Sequence, residues 1–262
     1  MNVLQCLTEL YNSESMDSIY KELARKILEN LDEMNNVTIY DIAEMTNASR
    51  TTVWRLVQKL GYTSFSDFKY AIRSASSQYT YYNRMLESRK SSDASSMIRD
   101  VSQQIAAAGK LYKGFITDNM LDELTEELSD SKRIHFYLPF RTSFVYSFQQ
   151  NLWKDGKYTE YCCLIPDIMN ATEYLDKNSI VIMSSLEFTE TQDMSEVVKK
   201  IKKTGAHLWL CGNASSRYAK DADRQLFMLD ADPTPWILAF DCFLLSLSEQ
   251  YRKKYIDNHH SN

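Results

Sequence analysis

The stretch TIYDIAEMTNASRTTVWRLVQKLGYTSFSDFK, residues 38–69, determines the fold of the N-terminal part of this chain. Thr38 is a favourable helix N-cap, and Asp41 follows three residues later in the arrangement of a capping box. An apolar set with i, i+3, i+4 spacing begins at Ile39, which is typical of one buried helical face. The sequence therefore predicts a short helix over residues 39–46.

A turn and a second helix follow. Asn47 tolerates the left-handed conformation that ends many helices, and Ser49 is a favourable N-cap for the next helix. That helix is predicted to span residues 50–60 and to stop at Gly61. Two short helices joined by a turn of about three residues form the helix-turn-helix pattern, whose second helix enters the major groove of DNA.

The second helix has two chemically different faces. Its apolar face consists of Val53, Leu56, Val57 and Leu60. The opposite face carries no acidic residue between Arg50 and Lys59, which suits a surface that approaches phosphates. We expect four residues to face base edges, namely Thr51, Trp54, Arg55 and Gln58. We expect four others to contact mainly phosphates, namely Ser49, Arg50, Thr52 and Lys59.

Trp54 and Thr52 each indicate an additional or alternative role. Trp54 is exposed on the helical wheel, and an exposed tryptophan is unusual enough to favour contact with DNA or a protein partner. The hydroxyl of Thr52, at the start of the helix, has an alternative role in satisfying the helix backbone.

The charge of the chain is unevenly distributed. The whole sequence of 262 residues has a formal net charge of −5, which by itself argues against binding to nucleic acid. Residues 1–48 hold three basic and nine acidic side chains, whereas residues 49–90 hold eight basic and two acidic ones. The segment that contains the second helix is therefore the one basic part of the chain.

Composition also bounds the class of protein. With 44% hydrophobic and 25% charged residues, the chain is ordinary for a soluble globular protein of two domains. No apolar run is long enough to span a membrane, and the N-terminus lacks the basic start of a signal peptide, so we expect a cytoplasmic protein. The five cysteines form no CxxC pair, so we expect no disulfide framework, no metal site and no cofactor.

The remaining patterns divide the chain into three parts. An amphipathic pattern predicts a long helix over 15–34, and another helix is expected around 65–76. Ser- and Tyr-rich residues 77–95 are interpreted as a linker between a helix-turn-helix domain at 1–76 and a second domain at 96–262.

The second domain alternates apolar strands with helices, which predicts an α/β doubly wound parallel sheet covered on both faces. The expected strands are 133–138, 160–165, 179–184, 207–212 and 225–229. The expected helices between them are 143–155, 192–204 and 215–221. Residues 235–255 form a strongly apolar last helix, in which Phe240, Phe243, Leu244 and Leu247 share a face. That face is expected either to pack into the core or to form a subunit interface.

Residues 37–73 resemble the N-terminal domain of the RpiR family of transcription regulators. The resemblance rests on the Ile-Ala pair of the first helix, on Ser49, Thr52-Val53 and Arg55, and on the later Leu60-Gly61-Tyr62 and Phe65…Phe68-Lys69. It implies a DNA operator as partner and a C-terminal sugar isomerase (SIS) domain that binds phosphosugars. The late segment 202–223, with Ser216 and Ala222-Asp223, is similar to that domain.

Two loops depart from the SIS pattern. The family's phosphate loop reads Ser-x-Ser-Gly-x-Thr, whereas this chain has Ser-Ser-Leu-Glu-Phe-Thr at 184–189; the glycine-rich loop after the first strand is replaced by 138–143. Glu187 introduces a negative charge where a phosphate would bind, and Arg141 is either a compensating donor or a surface residue. The expected ligand-binding residues are Arg141, Thr142, Ser143, Ser184, Ser185, Glu187 and Thr189.

Three readings of the second domain remain open at the level of sequence. The first is a sensor for a sugar or phosphosugar, in a homodimer whose two-fold symmetry matches palindromic half-sites. The second is a degenerate SIS domain that only dimerises. The third is an aldose–ketose isomerase, which needs a positioned base. We expect no catalytic residues, because His135 and His207 lie in expected strands, where packed histidines are usual.

Overall fold

The computed structural model describes residues 2–77, 93–185 and 193–257. Residues 2–77 form a helical unit with a 3-10 turn at Leu31–Asn35. Its helices are α1 (Val3–Ser13), α2 (Ile19–Glu29), α3 (Ile39–Met45), α4 (Arg50–Lys59) and α5 (Phe65–Ser77).

The start of this unit differs from the sequence prediction. The long helix expected over 15–34 is wrong in extent, because Ser18 caps α2 and the chain leaves the α-helix after Glu29. Helix α1 was not predicted. It begins with a capping box in which Asn2 and Gln5 exchange hydrogen bonds of 2.9 and 3.0 Å. Its buried side chains, Val3, Leu4, Cys6, Leu7 and Leu10, complete the core of the helical unit.

The helix-turn-helix prediction is confirmed. The capping box of Thr38 and Asp41 starts α3, and Asn47 adopts the expected left-handed conformation with φ 51°. Ser49 caps α4, which ends before Gly61 with φ 87°. These local signals fix the chain direction at each helix end, so the two helices meet through the short turn that the sequence indicated.

Residues 93–185 and 193–257 form an α/β unit. Its helices are α6 (Ala94–Phe115), α7 (Asp118–Asp130), α8 (Ser143–Lys154), α9 (Ile165–Ala171), α10 (Ser195–Thr204) and α11 (Pro233–Tyr255). Its strands are β1 (Arg133–Tyr137), β2 (Tyr158–Cys162), β3 (Ser179–Ser185), β4 (His207–Gly212) and β5 (Arg224–Met228). Every strand pairing is parallel and the order is β2-β1-β3-β4-β5. The predicted doubly wound sheet is confirmed.

The sheet is buried on both faces. In β3, Ile180 and Ile182 belong to the larger core cluster, whereas Val181 and Met183 belong to the smaller one. The larger cluster includes side chains of α8 and α11, and the smaller one includes side chains of α9 and α10. Period-two alternation with apolar residues on both faces explains why the strands read as continuous apolar runs.

Some of the predicted element boundaries differ from the structure. Strand β2 lies two to three residues before the expected 160–165, because Pro166 belongs to the first turn of α9 and removes the end of that run from the strand. The helix expected over 215–221 is wrong, since only the 3-10 turn Ala219–Asp221 forms there. Within the predicted linker 77–95, α5 includes Ser77 and α6 begins at Ala94, while residues 78–92 lie outside the described part.

The apolar face of α11 belongs to the core. Phe240, Phe243, Leu244 and Leu247 are fully buried within the single chain. The ring of Phe243 stacks on Phe227 with centroids 6.0 Å apart and meets Phe115 edge-on at 6.3 Å. The structure therefore favours the core-packing alternative for this face over the subunit interface.

The two strand histidines have different environments. His135 is fully buried, as expected for a packed histidine, whereas His207 is exposed. The Nδ1 atom of His135 lies 2.9 Å from Tyr137 Oη, and its Nε2 atom has no hydrogen-bond partner among the described residues. Burial, with a smaller contribution from the charge of Arg133, lowers the pKa of His135 from 6.5 to about 4.

This buried histidine predicts a pH dependence of stability. The unfolded chain takes up the proton at higher pH than the folded chain, so the free energy of unfolding should fall as the pH decreases from about 6.5 to about 4. The full loss is on the order of 3 kcal/mol. Urea denaturation across this range should show a shallower loss for His135→Asn than for the wild type. Parallel curves for the two proteins would contradict the assignment.

Candidate functional site

The recognition helix α4 is fixed by its cap and its buried face. The Oγ atom of Ser49 accepts a hydrogen bond of 3.1 Å from the Thr52 backbone and lies 2.9 Å from Thr52 Oγ1. The Ser49 hydroxyl therefore caps the helix backbone, whereas the Thr52 hydroxyl contacts the capping hydroxyl and not a backbone group of the described residues. Val53, Leu56 and Val57 are fully buried and hold the opposite face of the helix outward.

The outward face contains most of the residues predicted to read DNA. Thr51, Arg55 and Gln58 are exposed. Trp54 is half-buried and packs against the core, so the prediction that it is exposed was wrong. The wheel of α4 alone could not reveal this, because the neighbouring helices cover part of the indole.

Two basic side chains flank this face, each oriented by another element. The Arg50 guanidinium lies 4.7 Å from the ring centroid of Tyr40 and donates to Tyr40 Oη at 2.9 Å. The Lys59 ammonium donates to Glu14 Oε1 at 2.8 Å. No described residue forms an ion pair or hydrogen bond with Arg55. Sequence reasoning missed Tyr40, although an aromatic residue on the polar face at the start of α3 was a usable signal.

The α/β unit has its topological switch point between β1 and β3. Strand order reverses there, and doubly wound sheets bind ligands beyond the carboxyl ends of the strands at this position. The loop after β1 contains Arg141 and Thr142, Ser143 begins α8, and β3 ends with Ser184 and Ser185. Of the predicted ligand residues, Glu187 and Thr189 lie outside the described residues.

Two serine side chains lie at the end of β3. Ser184 Oγ is buried and has no hydrogen-bond partner among the described residues. Ser185 Oγ lies 2.8 Å from Ser216 Oγ, which connects the end of β3 to the turn after β4. A β-carbon at Gly212 would lie 2.0 Å from the Ser185 carbonyl oxygen, so this close approach of the two strands requires glycine.

The loop after β1 is held by Tyr161. The Tyr161 hydroxyl donates to the Phe140 carbonyl at 2.6 Å and accepts from the Thr142 amide at 3.0 Å. Thr142 in turn caps α8, because its Oγ1 accepts from the Phe144 amide at 3.3 Å. Ser143 is exposed as the first residue of α8.

Arg141 contacts both its own unit and the helical unit. Its guanidinium stacks over the ring of Tyr161 at 4.9 Å and pairs with the Glu9 carboxylate in α1. A cleft of about 460 Å³ lies beside this pair, between the two units. Among the described residues, the guanidinium of Arg141 bonds to Glu9 and Tyr146 and to none of the predicted hydroxyl groups.

An acidic residue that the sequence did not single out accompanies the hydroxyls. Asp241 of α11 interacts with the Thr142 side chain, while its Oδ1 atom is buried without a partner among the described residues. Burial raises the pKa of this carboxyl above its usual range. Its position depends on the packing of the last helix on the sheet, so no local sequence signal could have identified it.

Neither a metal site nor a membrane-spanning helix is present in residues 2–77, 93–185 and 193–257. No cluster of histidine, cysteine and acidic side chains there could hold a metal ion. No helix in these ranges has the length and apolarity to cross a membrane. Cys6, Cys162, Cys163 and Cys211 are buried and Cys242 is exposed, and none is in a disulfide.

Fold and surface define the N-terminal unit as a DNA-binding helix-turn-helix domain. Residues 1–79 match the family described as "Helix-turn-helix domain, rpiR family". The N-terminal part of the chain is thus an rpiR-family helix-turn-helix domain, as the sequence resemblance indicated.

A curated relative and two solved structures are similar to this chain. An uncharacterised HTH-type transcriptional regulator from the aarA 3' region of Providencia stuartii is 23% identical over 188 residues. The match covers 71% of this chain and 66% of that relative, slightly less than two thirds of its length.

The NanR protein of Vibrio vulnificus, solved with ManNAc-6P, is 19% identical, with 98% of this chain and 92% of that chain covered and a TM-score of 0.45. The sugar isomerase domain of an RpiR transcription factor from Sphaerobacter thermophilus is 12% identical. That comparison covers 61% of this chain and 90% of the other, with a TM-score of 0.49.

Proposed function

We propose that this protein is a DNA-binding transcriptional regulator of the RpiR type that acts in the cytoplasm. The observation that carries the proposal is the exposed face of α4, where Thr51, Arg55 and Gln58 stand between Arg50 and Lys59 on an rpiR-family helix-turn-helix domain. Thr51, Arg55 and Gln58 face base edges, and Arg50, Lys59 and the start of α4 approach phosphates. Half-buried Trp54 contributes mainly to packing.

Arg55→Ala tests the recognition surface. The exposed, unpaired guanidinium should bind a base edge, so its loss should weaken binding to an operator selected from random DNA by about 1–3 kcal/mol and relax sequence choice. Fluorescence anisotropy measures the affinity. Lys203→Ala, which removes an exposed base from the α/β unit, is the control and should bind as the wild type does. Equal affinities of all three proteins would refute the assignment of α4.

The α/β unit is proposed to bind a sugar or phosphosugar effector at the switch point. The buried, unpartnered Ser184 hydroxyl and the Asp241 carboxyl beside Thr142 are suited to sugar hydroxyls. We assign this unit a binding role and not catalysis, because it is joined to a DNA reader and because His135 is enclosed in the sheet. The isomerase alternative has no comparable support.

A thermal-shift screen tests the effector site. A ligand at about a hundred times its Kd stabilises the folded state by about 2.7 kcal/mol, which is a shift of several degrees. We expect a hexose, an amino sugar or one of their 6-phosphates to raise Tm, and Ser184→Ala to reduce that shift. Exposed Ser215→Ala is the matched control. Absence of any shift would favour an α/β unit that only dimerises.

We further propose a homodimer that forms through the N-terminal half of α6. Four apolar side chains there are exposed, namely Met97 (52%), Ile98 (68%), Val101 (41%) and Ile105 (58%). They continue the stripe whose later members, including Phe115, pack into the core. The spacing of Met97 and Ile105 is symmetric about Val101, so two antiparallel copies can cover each other around a two-fold axis.

Val101→Asp tests this interface. A charge at the axis would face its own copy, so sedimentation velocity should show a shift from dimer to monomer without loss of the folded domain. Gln103→Asp introduces the same charge at an exposed position of the same helix and should leave the dimer intact. A monomeric wild type would exclude the dimer, and a dimeric Val101→Asp protein would exclude this face.

A further inference from the structure

Helix α1 contacts both candidate anion-binding regions of the protein. Its Glu9 carboxylate accepts hydrogen bonds from Arg141, with Oε1 2.8 Å from Nε and 2.5 Å from Nη2. The Glu9 side chain is only 12% exposed and that of Arg141 35% exposed. This ion pair joins the helix-turn-helix domain to the loop at the sensor end of the sheet, across 132 positions of sequence.

The C-cap residue of the same helix contacts the recognition helix α4. Glu14, the C-cap of α1, accepts hydrogen bonds from Lys59 at 2.8 Å and from Ser18 Oγ at 2.5 Å. The bond from Lys59 is the main cause of the lowered pKa of Glu14. Lys59, which we assign to a DNA phosphate, therefore has an internal carboxylate as its partner.

The α/β unit adds a third carboxylate to this region. Asp167 lies in the first turn of α9, and burial raises the pKa of its carboxyl. The charges of Lys59 and Arg141 oppose that rise. The charges of Glu9 and Glu14 raise the pKa of Asp167 further. The three carboxylates and the two basic groups therefore interact electrostatically at the contact between the units.

We propose that Glu9 is a built-in anionic ligand of Arg141 that keeps the DNA reader in a closed, weakly binding form. In this form Glu9 occupies the position of an effector phosphate at Arg141, and the charge of Asp167 adds to that of Glu14 near Lys59. A phosphate-bearing ligand that takes Arg141 releases α1. The inference rests on the proposed function and supplies its regulation.

Release follows from the charges at the contact. When an anion binds Arg141, the Glu9 carboxylate loses its partner while it still repels the charge of Asp167. A partly buried carboxylate without a partner is unfavourable, so α1 and the helices packed on it move away from the loop after β1. DNA phosphates can then approach Lys59 without the negative field of Asp167.

A pair of substitutions with opposite changes in net charge tests the closed form. Glu9→Gln removes a negative charge and Arg141→Gln removes a positive one, yet both break the same contact. Each should raise the affinity for a random-sequence DNA duplex by roughly two- to fivefold, and the double variant should add little to either. Glu29→Gln, which removes an acidic group bound to Arg25, controls for charge alone.

The direction of the Arg141→Gln effect is decisive. Simple electrostatics predicts weaker DNA binding by this more acidic protein, so a decrease would overturn the proposal while the DNA-binding function stands. If neither the wild type nor the variants bind DNA, the proposed function fails. Amide hydrogen exchange then tests the contact between Glu9 and Arg141 independently of DNA binding. Amides of the loop 138–142 should exchange faster in both variants, and unchanged exchange would overturn the closed form.

The proposed release of α1 by an anion is tested with glucose 6-phosphate at constant ionic strength. Glucose is the uncharged control. Glucose 6-phosphate should raise the affinity of the wild type for the duplex and accelerate exchange in the loop 138–142. Arg141→Gln should respond to neither compound. An equal response to glucose, or a full response of Arg141→Gln, would show that release does not pass through Arg141.

Discussion

The Tyr161 hydroxyl is the contact on which the arrangement of both candidate sites depends. By bonding to the backbone on either side of Arg141, it fixes the loop that caps α8, borders the strand ends and meets the helical unit. The ring beneath the guanidinium also limits where Arg141 can point. One aromatic side chain on an edge strand thus sets the geometry between the α/β unit and the helical unit.

The sequence predicted those features that depend on neighbours in the chain. Thr38, Asn47 and Ser49 act within a few residues of themselves, so the ends of α3 and α4 could be located without knowledge of the fold. Strand β3 was equally readable, because a strand buried on both faces has one uninterrupted apolar run. The doubly wound topology follows from the alternation of such runs with helices.

Features that depend on tertiary packing could not be read in this way. The half-burial of Trp54 results from neighbouring helices, and Asp241 reaches Thr142 only because α11 crosses the sheet. The pairing of Glu9 with Arg141 joins residues in different units. Helix α1 is a different case, since Asn2 and its apolar spacing gave a usable signal that the pattern over 15–34 overshadowed.

The long separation between Glu9 and Arg141 also has a consequence for biosynthesis. A ribosome completes α1 to α5, with their caps and core, well before the loop that follows β1 has been made. During that interval the emerging DNA reader has Glu14 at Lys59 but has no Arg141 to bind Glu9. The contact between Glu9 and Arg141 therefore forms late in translation. A chain truncated before the loop that follows β1 would lack this contact, so its helix-turn-helix domain would not be held in the closed form.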